Sequence, residues 1–400
     1  MKKLLVLVSL ALALVSLGLM FGCTTTTETT TTTTTTTTSS SISTSTSSTT
    51  TTTAAATWQV VGTAGFSSDY LVNERIGLFV NDTPYVAYRN YTTDRITIQK
   101  YNGSNWVILG SENITVGSST NHSIFPSLYV YSNVPYVALR EDDAGWSNVA
   151  SYVIKFNTVT SSWETLGQPF ATSNLTGSIC LKFDGSGVPW VGFYDNSVGK
   201  ASVRKYNSSN QLWEVYYGSG GLPTTNSSLV SFDLDNNDKP YIAFEDQGLS
   251  NKLSVVSGES LSGWLFVGSR GISTATIDDL AFDIYNNTPY VAYQDNANSE
   301  KAAVMKFNGS AWENVGGTAA TSGKASYISL QVYNGSPYMA YVDATGAAIV
   351  QKFNGTSWEQ VGSSPSDSAT QTSLFVYGGV PYLAFRDGNN SNKITVMKYQ

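Results

Sequence analysis

Pro289-Tyr-Val-Ala-Tyr-Gln-Asp-Asn-Ala-Asn-Ser-Glu-Lys-Ala-Ala-Val-Met-Lys-Phe-Asn-Gly-Ser-Ala-Trp-Glu-Asn-Val-Gly316 is the phrase that decides how this chain folds. Its first run, Tyr290 to Tyr293, is aromatic and β-branched and starts behind a proline, as a strand does. Ala302 to Phe307 is a second apolar run. Asn308-Gly309 is a turn dipeptide, and Trp312 opens a third run ending at Gly316. Upstream, Leu280 to Ile284 forms another run, closed by Asn286-Asn287. The unit reads as four antiparallel strands of about five residues each. They are called A (the Leu280 run), B (Pro-Tyr), C (Met-Lys-Phe) and D (Trp) below.

The phrase repeats. Strand D opens at Trp58, Trp106, Trp163, Trp213, Trp264, Trp312 and Trp358. Strand B opens at Pro84, Pro135, Pro189, Pro240, Pro289, Pro337 and Pro381. Residues 58–400 therefore hold seven copies of about 49 residues, a period that belongs to propellers and solenoids. The ends choose between these. The repeats begin on a D strand, Trp58 to Gly62, and finish on a C strand, Ile394 to Tyr399. In a ring, the first strand completes the sheet of Ser373–Tyr377, Pro381–Phe385 and Ile394–Tyr399. An open stack has no use for it and needs capping repeats instead. The expected fold is an all-β, seven-bladed β-propeller of four-stranded antiparallel blades, closed by an N-terminal outer strand at 58–62.

The C–D segment Lys155 to Gly167, with an aromatic, a turn and then Trp163, resembles the kelch class of propellers. The Gly-Gly that follows strand B in kelch repeats is missing. The Asn-Gly-Ser-x-Trp turns also resemble the Asp-box turn of sialidase-like propellers, without its Asp. Over 58–400 the chain is similar to repeat propellers of bacterial surface lipoproteins. These likenesses imply the fold and little about activity.

The N-terminus has its own grammar. Met1-Lys2-Lys3 is basic, Leu4 to Leu19 is apolar, and Met20-Phe21-Gly22-Cys23 follows. Residues 1–22 resemble a bacterial lipoprotein signal peptide, which implies cleavage before Cys23 and acylation of that cysteine. Thr24 to Thr57 is almost wholly Thr, Ser and Ala, too polar to fold. Residues 23–57 are therefore expected to be a lipidated cysteine on a disordered, Thr-rich tether. The implied protein is exported, monomeric and anchored to a membrane by its N-terminal lipid, facing the periplasm or the extracellular space. Thr24 is not the Asp that favours inner-membrane retention, so an outer surface is expected if there are two membranes.

Composition removes whole classes of function. The formal charge is −7 and no basic cluster stands out, which argues against nucleic acid. One histidine, His122, excludes every metal site or triad that needs two. With Cys23 lipidated, Cys180 has no disulfide partner and reads as a small buried hydrophobe between Ile179 and Leu181.

Two groups of residues could carry chemistry. An acidic or amide residue follows strand B in every repeat: Asn90, Glu141, Asp195, Asp246, Asp295, Asp343 and Asp387. Arranged around an axis these could hold Ca²⁺ or a cationic ligand; otherwise each caps its own B–C loop, which recurrence in every blade favours. No other metal or cofactor is expected. The lysines at 100, 155, 205, 306, 352 and 398 also recur, and read as solvated or paired across strands.

The second group breaks the repeat. Trp106 and Trp163 are 57 residues apart, against 48 for Trp58 and Trp106. The excess lies in the D–A connection Ser111–Pro126, which carries His122 and Phe125, and near the B–C connection Glu141–Asn148, which carries Glu141, Asp142, Asp143 and Trp146. An aromatic beside carboxylates on a loop resembles a sugar-binding platform. In a propeller the D–A and B–C loops share one face, so that face is the expected working surface. The favoured reading is a non-catalytic binding module for glycan or protein ligands. The alternatives are a structural or adhesive protein–protein scaffold, and a carboxylate-dependent glycoside hydrolase or lyase.

Overall fold

A computed structural model of the chain describes residues 55–71, 75–116, 122–142, 149–171, 176–216, 222, 229–259 and 263–400. Cys23, the expected tether up to residue 54, Asp143 and Trp146 lie outside the described residues, whereas Thr57, expected to end the tether, pairs with Gln400 through its backbone.

Seven separate four-stranded antiparallel sheets follow one another, each in the order A-B-C-D. Blade 1 is Gly77–Val80, Pro84–Asn90, Arg95–Tyr101 and Trp106–Ile108. Blade 5, built from the phrase quoted first, is Ile277–Tyr285, Thr288–Asp295, Lys301–Phe307 and Trp312–Asn314. Blade 7 takes strands A to C from Ala369–Tyr377, Val380–Asp387 and Lys393–Tyr399, and its D strand from Trp58–Val60 at the start of the propeller. Trp58 pairs with Tyr399 and Val60 with Met397. The expected seven-bladed propeller with N-terminal closure is the observed fold. Strand A is longer than the sequence pattern indicated, nine residues in blades 5, 6 and 7.

The blades stack face to face, so strand B is covered on both sides. In blade 1, Ala87 and Ile98 pack with Leu128, Val137 and Leu139 of blade 2. The alternate residues Val86 and Tyr88 pack with Ala384, Ile394 and Val396 of blade 7. This two-sided burial is why strand B reads as an unbroken apolar run rather than an alternation. The small residue in its middle admits the neighbour: a Cβ on Gly192 would lie 2.4 Å from Cβ of Phe232 in blade 4.

The Trp and Gly of strand D form one inter-blade joint. The Trp indole N–H donates to a carbonyl at the end of the preceding blade's D strand: Trp106 to Val61, Trp163 to Leu109, Trp312 to Val267 and Trp358 to Val315, at 2.7–2.8 Å, and Trp213 to Leu166 at 3.0 Å. Gly316 follows Val315 with φ +79°, and a Cβ there would sit 2.7 Å from Trp358. Glycine meets both the left-handed backbone and the indole that covers it.

Candidate functional site in the axial channel

Strand A of each blade lies innermost, so its inward residues form tiers down the axis. One tier is made of the residues opposite the small residue of strand B. Gly77, Ser127, Cys180, Ser231, Ala281, Ser329 and Ser373 occupy it, all small. Cys180 is half-buried here rather than fully enclosed, and its thiol donates to the Val230 carbonyl at 3.9 Å.

Two residues earlier, toward the D–A face, the tier changes character. Blades 1 and 2 supply Arg75 and Phe125, blades 3 and 4 Ser178 and Leu229, and blades 5 to 7 Asp279, Tyr327 and Gln371. All seven residue types differ. A cavity of about 430 Å³ opens at this end of the axis, and every one of these residues lines it. The backbone is bent to present them. Strand A carries a β-bulge in blades 2, 3, 5, 6 and 7. Phe125, Ser178, Tyr327 and Gln371 sit at four of the bulges with φ of +51° to +56°, a left-handed conformation that side-chain-bearing residues rarely adopt. Each costs on the order of 1–2 kcal/mol relative to an ordinary strand residue.

The tier is cross-linked. The Tyr327 N–H donates to the Asp279 carboxylate at 2.5 Å, and the Thr372 hydroxyl donates to the Tyr327 carbonyl. Burial raises the pKa of Asp279 above the usual carboxylate range, against the opposing pull of the Tyr327 and Ile328 N–H groups and the Arg75 guanidinium. Phe125 is backed by Arg140, whose guanidinium lies 5.9 Å from the ring centroid and pairs with Asp142 at 2.7 Å.

On the other side of the small tier the channel is closed by larger side chains. Phe375, Phe79 and Tyr129, from blades 7, 1 and 2, pack with ring centroids 4.8 and 4.9 Å apart. Blades 3 to 6 place Lys182, Asp233, Asp283 and Gln331 at the same level. Lys182 Nζ lies 3.0 Å from Asp233 Oδ2. Asp283 accepts the Val332 N–H at 2.6 Å. Burial first, and then the Asp233 charge, push its pKa up to about 7, partly offset by Lys182. One half of this floor is aromatic and the other ionic.

The acidic set, Glu141 and Asp142, singled out from the sequence, lie elsewhere, while Phe125 of the D–A connection lines the cavity. Strand B is second from the axis, so the acidic set does not meet at the centre. Asn90 accepts the N–H groups of Thr92 and Thr93, Asp195 that of Ser197, Asp295 that of Ala297, Asp343 those of Thr345 and Ala347, and Asp387 that of Asn389. Asp246 is held instead by Arg270, at 2.6 and 2.8 Å. Among the described residues no group of three or more His, Cys, Asp or Glu is placed to hold a metal ion.

His122 begins strand A of blade 2, paired with Asp142. Strand B of this blade runs on through Glu141 and Asp142, so both belong to the sheet rather than to the loop expected of them. They are 2% and 0% exposed. Glu141 accepts from the Val116 N–H and the Ser123 hydroxyl, and Asp142 pairs with Arg140. Neither carboxylate is offered at the surface. Their link to the axial cavity is indirect, since Asp142 holds the arginine that backs Phe125.

Neither a protein-family model nor a curated protein matches the sequence. Solved propellers do match the fold. An α-L-arabinanase of Penicillium chrysogenum, complexed with arabinobiose, is 12% identical with a TM-score of 0.51, over 86% of this chain and 98% of that one. A prolyl endopeptidase is 11% identical with a TM-score of 0.52, over 82% of this chain, which spans only 50% of that enzyme. The SapL1 lectin, complexed with α-methyl fucoside, is 14% identical with a TM-score of 0.48, over 69% of this chain and 92% of that one. At such identities the likeness extends to the propeller fold alone.

Proposed function

We propose that this protein is a non-catalytic binding propeller that takes a saccharide into the axial cavity from the D–A/B–C face. One observation carries the reading. Two places before the small residue of strand A the repeat keeps no residue twice, and all seven variants line one cavity of about 430 Å³. Architecture needs repetition; a ligand without sevenfold symmetry needs seven different contacts. Phe125 and Tyr327 offer ring faces to a sugar, while Arg75, Ser178, Asp279 and Gln371 offer hydroxyl partners. The strained bulges favour the same reading, because strain concentrates where a side chain must be aimed. On a lipidated Cys23 with residues 24–57 as tether, such a module would work at the surface of an exporting cell.

A carboxylate-dependent glycoside hydrolase is the second reading. It is favoured by Asp279 and Asp283, two axial carboxyls with raised pKa in the tiers on either side of the small one, on one blade. A screen of the full chain on a glycan array, followed by titration of any hit, separates the two. Binding that weakens at least tenfold in Tyr327→Ala, with no product from the bound glycan, supports the module. Release of reducing ends that stops in Asp279→Asn replaces it with the hydrolase, and a hit indifferent to Tyr327 removes the axial cavity from consideration.

A further inference from the structure

On the opposite face, where the A–B and C–D turns lie, a cleft of about 530 Å³ opens between blades 7 and 1. Tyr382 and Lys398 of blade 7 and Tyr85 and Lys100 of blade 1 line it, with the Asn102-Gly103 turn. An equivalent cleft of about 560 Å³ lies between blades 4 and 5. Each is lined by two lysines, Lys239 and Lys306 in the 4/5 cleft, and the strand registers set the two pairs apart.

Four of the repeated C-strand lysines face a glutamate across strands C and D: Lys155 and Glu164, Lys205 and Glu214, Lys306 and Glu313, Lys352 and Glu359. Two of these pairs close as ion pairs at 3.0 and 3.1 Å. Lys100 and Lys398 face Val107 and Gln59 instead. The two lysines that lack a glutamate therefore sit on the two sides of one cleft. In the 4/5 cleft, Lys306 keeps Glu313, Lys239 lies over the Tyr241 ring at 5.4 Å, and Ser257 stands where blade 7 has Lys398. The one carboxylate lining the 7/1 cleft, Asp82, accepts the Tyr377 hydroxyl at 2.8 Å.

We infer that the 7/1 cleft is a second binding site, specific for an acidic saccharide, a pyranose carrying a carboxylate or sulfate. The ammonium groups of Lys100 and Lys398 attract the anion within a chain of net charge −7, and the Tyr85 and Tyr382 rings supply apolar walls for the sugar. Neutral sugars lack the group that these lysines recognise.

The test is calorimetric titration of the full chain with trigalacturonate, a sulfated galactotriose and neutral galactotriose. Lysine-dependent binding of either acidic probe, at least tenfold tighter than the neutral one and weakening as salt rises, supports the site. The Lys100→Gln/Lys398→Gln double variant should lose at least tenfold in affinity, and Lys306→Gln in the other cleft less than twofold. Equal affinity for the neutral probe, an unchanged double variant, or silence from folded protein would each overturn the assignment. Lys398→Arg, which keeps the charge, should keep most of the affinity.

Discussion

The indole N–H of Trp58 donates to the backbone carbonyl of Val361 at 2.8 Å, across 303 positions of chain. It is the same joint that Trp106, Trp163, Trp213, Trp312 and Trp358 make with the blade before them, made here by the first strand of the propeller against the sixth blade. The ring is thus closed twice, by the pairing of Trp58–Val60 with strand C of blade 7 and by an indole lock on blade 6.

Trp58→Ala should therefore cost about 3–5 kcal/mol, the range for a buried aromatic removed from a core. Trp58→Phe, which keeps most of the bulk and loses the N–H, should cost nearer 1 kcal/mol. Urea unfolding of the two variants reads both numbers. A Trp58→Phe variant as stable as the parent would mean that the bond to Val361 contributes nothing beyond packing.

Ser178 has φ +51° at its bulge. Ser178→Val should be less stable than Ser178→Gly by about 1–2 kcal/mol, because a β-branched residue resists that conformation and glycine accepts it. Thermal unfolding of the pair checks the order, and the reverse order would mean that this strand carries no bulge in solution.

Asp283 fixes a pH dependence. Its folded pKa, about 7, is above that of an unfolded aspartate. Between those two values the folded state holds a proton that the unfolded state has lost, so stability falls as pH rises toward 7 and then levels. Asp233 and Lys182 are the charged groups that bear on it. Asp283→Asn, which keeps an acceptor for the Val332 N–H, should flatten this slope. The melting temperature of the variant should gain on the parent between pH 4 and pH 7; parallel profiles would show that Asp283 ionises normally.

Cys23→Ser tests the proposed anchor. The expected outcome is movement of the protein from the membrane fraction to the soluble fraction, with loss of incorporated labelled fatty acid. Unchanged fractionation would assign membrane attachment to some other feature.

The axial site was not read from the sequence, although a trace of it is there. Aligning the repeats on the small residues Gly77, Ser127, Cys180, Ser231, Ala281, Ser329 and Ser373 exposes the column two places earlier, in which no residue recurs. Strand A is the least regular strand, and its bulges shift that column relative to strand B, so the pattern is hidden from any single repeat. Glu141 and Asp142 misled for a related reason. Strand B of blade 2 runs two residues further than its acidic end suggests, and the sheet turned both carboxylates inward.

Blade number, strand order and ring closure follow from local signals: proline-led strands, Asn-Gly turns, Trp-led outer strands, and a D strand at one end with a missing partner at the other. Each is a property of some five to ten neighbouring residues, where backbone propensity and turn chemistry act. The seven unlike residues around the axis, and the two lysines left without glutamates across the 7/1 seam, are brought together by closure itself. Arg75 and Gln371 lie at opposite ends of the propeller sequence yet line one cavity. Long-range contacts of this kind depend on how the blades stack, which no local window of sequence records.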